Sequence, residues 1–337
     1  MEGMTIMIKK IDVAILGASG VVGQKAIALL QDSPHFHVNE VVASDKRIGQ
    51  KFQDSVDWRE TNCNLPIDVG NLILKNALDC KSPFIVSCLP TEMATILEPQ
   101  LAAAGKLVFS NASSFRMEKN VPLLVPEINE AHLKLLSDQR TLGKIITNPN
   151  CSAVGVTLAL APLMELAAID HVSVVTMQSA SGAGLPGVSS LDLMGNTIPH
   201  IENEFQKITE ETKKILGLIN APANFAISTH VHRVPVHFGH TATLHITFKE
   251  SVNPQDAISQ FQKWNQKFPD LFLLHDINGR PQPLRDLTAN DMRAHIGHIR
   301  QGDKPNILGL IVLTHNLVRG AAGAVIANMT AYLKNTL

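Results

Sequence analysis

The chain has 337 residues, room for about two domains at ~150 residues each and enough to bury a core without disulfides or a structural metal. Hydrophobic residues make up 45% and charged residues 18% of it, which excludes a disordered chain. The 29 Lys plus Arg against 30 Asp plus Glu leave a formal charge of -1, so no global field exists to grip a nucleic-acid backbone or an anionic membrane, and neither is expected as a partner.

The opening stretch, MEGMTIMIKKIDVAILGASG, lacks a basic region followed by an apolar run and a small-residue cleavage site. Its apolar run leads straight into glycines. Ile11–Leu16, apolar except for Asp12, is a predicted strand covered on both faces. Val21–Leu30 is a predicted helix with Val22, Ala26, Leu29 and Leu30 on one side. Residues 36–43 and 83–88, together with Leu107–Ser110 and Lys144–Thr147, are further strand candidates, with helical patterns such as 92–104 between several of them. Short strands separated by helices predict an α/β fold with a Rossmann-like, doubly wound parallel sheet over residues 1–150.

After Cys151 the rhythm changes. Residues 153–169 form the most apolar long window, but Pro162 and Glu165 interrupt it and it is too short to span a bilayer. The chain therefore reads as soluble and cytoplasmic. Residues 171–179, 241–249, 292–300 and 306–315 are longer, partly alternating runs, which predict a mixed or antiparallel sheet in an α+β domain over residues 151–315. Residues 316–337 read as an Ala-rich helix that returns to the first domain.

Three motifs carry chemistry. LGASGVVG (residues 16–23) follows a predicted strand and opens a predicted helix, where glycines let the backbone approach a pyrophosphate and free amides point toward it. Its spacing is GxxGxxG (Gly17, Gly20, Gly23), and a glycine-rich turn packing helix on strand is the bland alternative. The turn after the second strand holds Ser44, Asp45, Lys46 and Arg47. An acidic residue there suits a free ribose hydroxyl and cations suit a 2′-phosphate; two cations and a serine lean toward NADP. In TNPNCSAVG (residues 147–155), Cys151 falls just before an apolar helix, whose positive end is expected to lower the thiol pKa and make it a nucleophile. A packing cysteine is the alternative. Beside a nicotinamide, such a nucleophile means acyl-thioester redox chemistry.

HVHRVPVHFGHT (residues 230–241) holds four histidines and Arg233. Strand alternation splits the histidines between faces, so a general acid/base with Arg233 as carboxylate clamp is favoured over a metal cluster. The four cysteines, Cys63, Cys80, Cys88 and Cys151, form no CxxC pair and none has zinc-finger spacing to a histidine, so reduced thiols and no metal are expected. The polar loop 111–116 (NASSFR) follows a strand at the end where doubly wound sheets bind ligands. Glu204, Lys207, Glu211 and Lys214 fall on helical spacings, which suits an exposed, ion-paired face.

With these residues in place, the chain resembles the archaeal/fungal-type branch of the aspartate-semialdehyde dehydrogenases. Eight strings in family order carry the resemblance: GASGVVG, SCLPTEMA (87–94), SNASSFRM (110–117), NPNCS, MQSASGAG (177–184), HRVPVHFGHT, RPQP (280–283) and HNLVRGAAGA (315–324). The resemblance implies that Cys151 is the nucleophile, that Asn150 and Gln178 position the acyl group, and that His240 is the acid/base. It implies that Arg233 holds a substrate carboxylate, that Glu204 meets the amino group, and that Arg116 and Lys207, with Asn111 nearby, form a phosphate site. It further implies that Gly17, Ala18, Ser19, Gly20, Val21, Val22, Ser44, Lys46, Ser181 and Gly182 hold NADP, with Asn316 at the nicotinamide end; Lys46 stands where relatives often carry Arg. The implied reaction is reversible, NADP-dependent reductive dephosphorylation of L-aspartyl-4-phosphate to the semialdehyde, by a homodimer or homotetramer that also handles inorganic phosphate. A malonyl- or succinyl-CoA reductase of the same branch is the alternative. A catalytically dead, dinucleotide-sensing paralogue is disfavoured by the presence of both Cys151 and His240.

Overall fold

The computed structural model describes residues 10–276 and 279–336; residues 1–9, where the sequence was read for a leader, lie outside that range. Strands are numbered in chain order, and helices of ten or more residues likewise. Five short strands, β1 (Ile11–Leu16), β2 (Phe36–Val42), β3 (Phe84–Ser87), β4 (Leu107–Ser110) and β5 (Lys144–Thr147), make one parallel sheet in the order β2-β1-β3-β4-β5. Their alternate residues feed two apolar layers. Val13, Ile15, Phe84 and Val86 point to one side, against α1 (Val21–Leu30) and the last helix, α6 (Gly323–Thr336). Ala14, Leu16, Ile85 and Val108 point to the other, against α2 (Thr91–Ala103). Both faces are covered, so the strands read as unbroken apolar runs. Val325, Met329 and Ala331 of α6 belong to the first sheet's core.

The second sheet is mixed. It comprises β6 (Ile169–Gln178), β7 (Ala226–Arg233), β8 (His240–Phe248), β9 (Phe272–Leu274), β10 (Ala294–Gln301) and β11 (Ile307–Thr314), in the order β7-β6-β8-β11-β10-β9. One face packs on α3 (Ala153–Met164), α4 (Glu204–Leu216) and α5 (Pro254–Lys267). Residues 153–163 of α3 are all buried. A helix apolar all round belongs in the middle of a protein or a bilayer, and this one is the spine of the second core. Among the described residues no helix is long and apolar enough to cross a membrane.

Two strands are absent from the sequence reading. In β7, Ile227, Thr229 and Val231 alternate with outward Ser228, His230 and His232; the strand ends at Arg233, before Pro235. The other, β9, is three residues long and sits at the edge. Because the chain turns between Arg233 and His240, His232 and His240 occupy different strands and point to opposite faces.

Candidate active site

Sheet register brings the chemistry-bearing side chains of the second domain to one end of its inner face. Gln178 pairs with Arg233 across parallel β6 and β7, and His240 pairs with Thr314 across β8 and β11. All four are buried. Strand alternation therefore delivers Gln178, Arg233 and His240 side by side, although 62 positions separate the first from the last in the chain. The turn Ala180–Ala183 crosses directly above them: a Cβ on Gly182 would lie 2.8 Å from Arg233 Nη1 and 2.9 Å from His240 Cε1. The Arg233 Nη1 donates to the Ser179 carbonyl at 2.9 Å, which ties the guanidinium to this turn.

The parallel sheet supplies the opposing wall. Loops after β4 and β5 carry Asn111, Arg116, Asn148 and Asn150 to the C-terminal rim of the strands, the end where such sheets bind ligands. Cys151 follows, and its Sγ lies 3.1 Å from His240 Nε2. The Ser179 backbone N–H donates to His240 Nδ1 at 3.1 Å. With Nδ1 accepting, the neutral ring is assigned its hydrogen on Nε2, facing the sulfur. Behind Cys151 stands Gly320, where a Cβ would come within 2.7 Å of the cysteine Cβ. Gly320 lies in a π-helical turn, Val318–Ala322, that leads into α6.

Asn150 organises the cysteine turn with both ends of its amide. Its Oδ1 accepts from the Ser152 and Ala153 N–H groups at 2.8 and 3.2 Å, and its Nδ2 donates to Glu204 Oε1 at 2.7 Å. Its own N–H donates to Glu211 Oε2 at 2.6 Å. This corrects one expectation about the helix start. The first amides of α3 are spent on Asn150, so they neither lower the thiol pKa nor wait free for an oxyanion. Burial instead pushes the Cys151 thiol up to about 12, with the Glu204 charge adding to the rise against Arg116 and Arg233. Burial, reinforced by the Arg233 charge, pushes His240 down to about 3. The resting pair is therefore neutral.

A measurable consequence follows for thiol chemistry. Alkylation by iodoacetamide needs thiolate, whose fraction rises tenfold per pH unit below the pKa, so labelling of Cys151 should accelerate roughly a hundredfold from pH 7 to pH 9. Peptide mass spectrometry with the Cys151→Ser variant as blank reads it; a rate already level at neutral pH would show a pre-formed thiolate.

The charged helix α4 is the second correction. Its buried stripe is Glu204, Ile208, Glu211, Thr212 and Ile215, so the two glutamates face inward and the exposed-face reading fails for them. Arg116 Nη1 donates to Glu211 Oε1 at 3.0 Å and its Nη2 to the Asn111 carbonyl at 2.6 Å. Lys207 stays at the mouth, its Nζ 3.8 Å from Glu204 Oε2. Lys214 donates to the carbonyls of Arg116, Glu118 and Val121 and anchors their loop. Asn111 Oδ1 accepts from Asn148 Nδ2 at 3.2 Å. The interleaved isoleucines at 208 and 215 were the available signal that this face is buried.

At the dinucleotide end, Gly17 has φ +72° and a Cβ there would lie 2.6 Å from the Cys88 carbonyl, while a Cβ on Gly23 would meet the Gly17 carbonyl at 2.4 Å. Only glycine permits this close packing of turn, β3 and helix. The Gly17 and Ala18 amides donate to the Val42 carbonyl and that of Gly20 to Gly17. Ala18 is fully buried. Among the described residues the amides of Ser19, in the glycine turn, and of Val21 and Val22, which open α1, have no such acceptor. Helix-start amides of this kind form an anion cradle. Ser44 and Lys46 are exposed in the turn after β2. Asn316 braces the far end: its Oδ1 accepts from the Gly239 N–H at 2.8 Å and its Nδ2 donates to Ser181 Oγ at 2.9 Å. Among the described residues, no three His, Cys, Asp or Glu side chains gather to hold a metal.

A doubly wound domain with a glycine cradle, facing a mixed-sheet domain through a Cys–His pair, defines a dehydrogenase class, and family models agree. Residues 12–136 match the semialdehyde dehydrogenase NAD binding domain, and residues 160–319 match the semialdehyde dehydrogenase dimerisation domain. The aspartate-semialdehyde dehydrogenase of Archaeoglobus fulgidus is 39% identical, over 96% of this chain and 98% of that protein. Its counterpart from Aspergillus fumigatus is 33% identical over 93% and 94%. The crystal structure of aspartate semialdehyde dehydrogenase with NADP from Candida albicans superposes with a TM-score of 0.87 at 30% identity, covering 97% of this chain and 99% of that one. The chain belongs to the aspartate-semialdehyde dehydrogenase family.

Proposed function

We propose that this enzyme interconverts L-aspartyl-4-phosphate and L-aspartate 4-semialdehyde with NADP and inorganic phosphate, through a thioester on Cys151. The reaction would serve biosynthesis of lysine, threonine, methionine and isoleucine. The observation that carries the reading is the 3.1 Å approach of Cys151 Sγ to His240 Nε2, at the junction of the two domains. The Candida albicans relative with NADP supports the cofactor, as do the glycine cradle and the basic turn at Ser44 and Lys46. Ser19, Val21 and Val22 would hold the pyrophosphate through their amides, with Gly17, Ala18 and Gly20 shaping the turn through bonds of their own, and Ser181, Gly182 and Asn316 would border the nicotinamide. When bound, the nicotinamide supplies or takes up the hydride at the acyl carbon.

Each protein group then has a task. In the biosynthetic direction Cys151 Sγ forms a bond to the acyl carbon while its S–H bond and the carbon–oxygen bond to phosphate break, and the phosphate departs toward Arg116 and Lys207 carrying the thiol proton. The charge that develops on the acyl oxygen falls beside the Cys151 N–H, which has no acceptor among the described residues. Gln178 and Asn150 bound the acyl group. Arg233 would take the α-carboxylate through its guanidinium and Glu204 the amino group. Once the thioester carbon is reduced, the carbon–sulfur bond breaks and His240 Nε2–H gives its proton to the leaving sulfur, the ring regaining one from water. The match to a dimerisation domain supports a homodimer or larger assembly, and the outer face of the second sheet, lined by His171, His230, His232 and His245, is left open for it. A location in the cytoplasm suits such an enzyme.

The test is NADP reduction with L-aspartate 4-semialdehyde, with and without inorganic phosphate. Strong phosphate dependence is expected. Reduction with malonate or succinate semialdehyde and coenzyme A instead would favour the malonyl- or succinyl-CoA reductase reading, and no reduction with any of these would overturn both.

A further inference from the structure

Glu211 has no part in the chemistry above, yet it is 2% exposed and its carboxylate touches both halves of the site. One oxygen accepts from Arg116 Nη1 at 3.0 Å and the other from the Asn150 N–H at 2.6 Å. Helix α4 thus reaches Asn150, the residue before Cys151, at two points, since Glu204, seven residues earlier, accepts from the Asn150 side chain. Glu211 and the Asn111 carbonyl together occupy Nη1 and Nη2 of Arg116, while Arg116 Nε is buried without an acceptor among the described residues. A guanidinium held at two nitrogens cannot rotate, and the donors it offers an incoming anion are set before that anion arrives.

We propose that Glu211 is a positioning residue, which orients Arg116 toward the phosphate of the reaction and registers it with the Cys151 turn. The proposal rests on the reading of Arg116 as a phosphate ligand. A plain charge effect has the opposite sign. Removing a carboxylate beside Arg116 leaves the site more positive and would tighten phosphate binding, whereas loss of orientation weakens it.

Glu211→Gln keeps the size but cannot accept from both donors, because its amide nitrogen must face one of them. In NADP reduction with L-aspartate 4-semialdehyde, the phosphate KM of this variant should rise roughly tenfold or more. The semialdehyde KM and the NADP Kd should stay within about twofold, a split that general loosening of the fold would not produce. Arg116→Ala should raise the phosphate KM by itself, and Glu211→Gln added to it should cost little further. Should Glu211→Gln fail to fold, as judged by thermal unfolding, Glu211→Asp carries the same comparison, its shorter side chain reaching only one of the two donors. An unchanged or lowered phosphate KM in the glutamine variant, beside a raised one in Arg116→Ala, overturns the proposal and leaves the phosphate site standing. Equal losses with and without Arg116 also overturn it. If Arg116→Ala itself leaves the phosphate KM unaltered, the phosphate reading of Arg116 falls and the proposal with it.

Discussion

Cys151→Ser should lower turnover by roughly four orders of magnitude or more while NADP binding stays normal. The hydroxyl is a far weaker nucleophile and, beside a neutral imidazole in a desolvated turn, has no means of ionising. The geometry favours a clean result. Serine fits between Gly320 and His240, where even the cysteine Cβ leaves no room for a further methyl on Gly320. Incubation with semialdehyde, phosphate and NADP followed by rapid-quench turnover and cofactor titration separates the two effects. Near-full activity in the variant would remove Cys151 from the reaction.

His240→Asn should lower turnover by about two to four orders of magnitude with substrate affinity little changed. An amide at this position still meets the Ser179 N–H but cannot pass a proton to or from sulfur or the acyl oxygen. A change confined to KM would reassign His240 to binding. The pH profile adds a second check. Burial and the Arg233 charge hold His240 down at about 3, so it stays neutral wherever pH exceeds that value. In the free enzyme, kcat/KM should therefore show no acidic limb near the ordinary imidazole value of ~6.5. A limb there that vanishes in His240→Asn would contradict a ring kept neutral by its surroundings.

Much of the scaffold was legible before any coordinates. The apolar run Ile11–Leu16, the glycines that follow and the helix Val21–Leu30 appear as strand, turn and helix with those same bounds. The parallel sheet and the mixed second sheet also stand as expected. Both β7 and β9 escaped notice for different reasons. Outward Ser228, His230 and His232 in β7 blurred the alternation beside Pro235, and β9 is too short to carry a period. The residues of the candidate site could be proposed from the sequence, and the structure gathers Cys151, His240, Gln178 and Arg233 in one place, but their environment was illegible. Glu204 and Glu211 looked like one side of a solvated ion-paired helix, and Cys151 like a thiol activated by a helix end. Packing reversed both: Ile208 and Ile215 draw the glutamates inward, and Asn150 takes the helix amides.

The sequence alone determined what is encoded within a few residues: strand and helix periods, the glycine turn shaped for a pyrophosphate, and a cysteine at the end of a strand ahead of an apolar helix. Such features depend on backbone sterics and on which side chains alternate, and both are local. Only the tertiary structure decided that Cys151 meets a histidine 89 positions away, that Arg116 and Asn150 share one carboxylate from α4, and that thiol and imidazole are both neutral at rest. Those outcomes rest on desolvation and on distances between elements remote in the chain, which no short stretch of sequence contains.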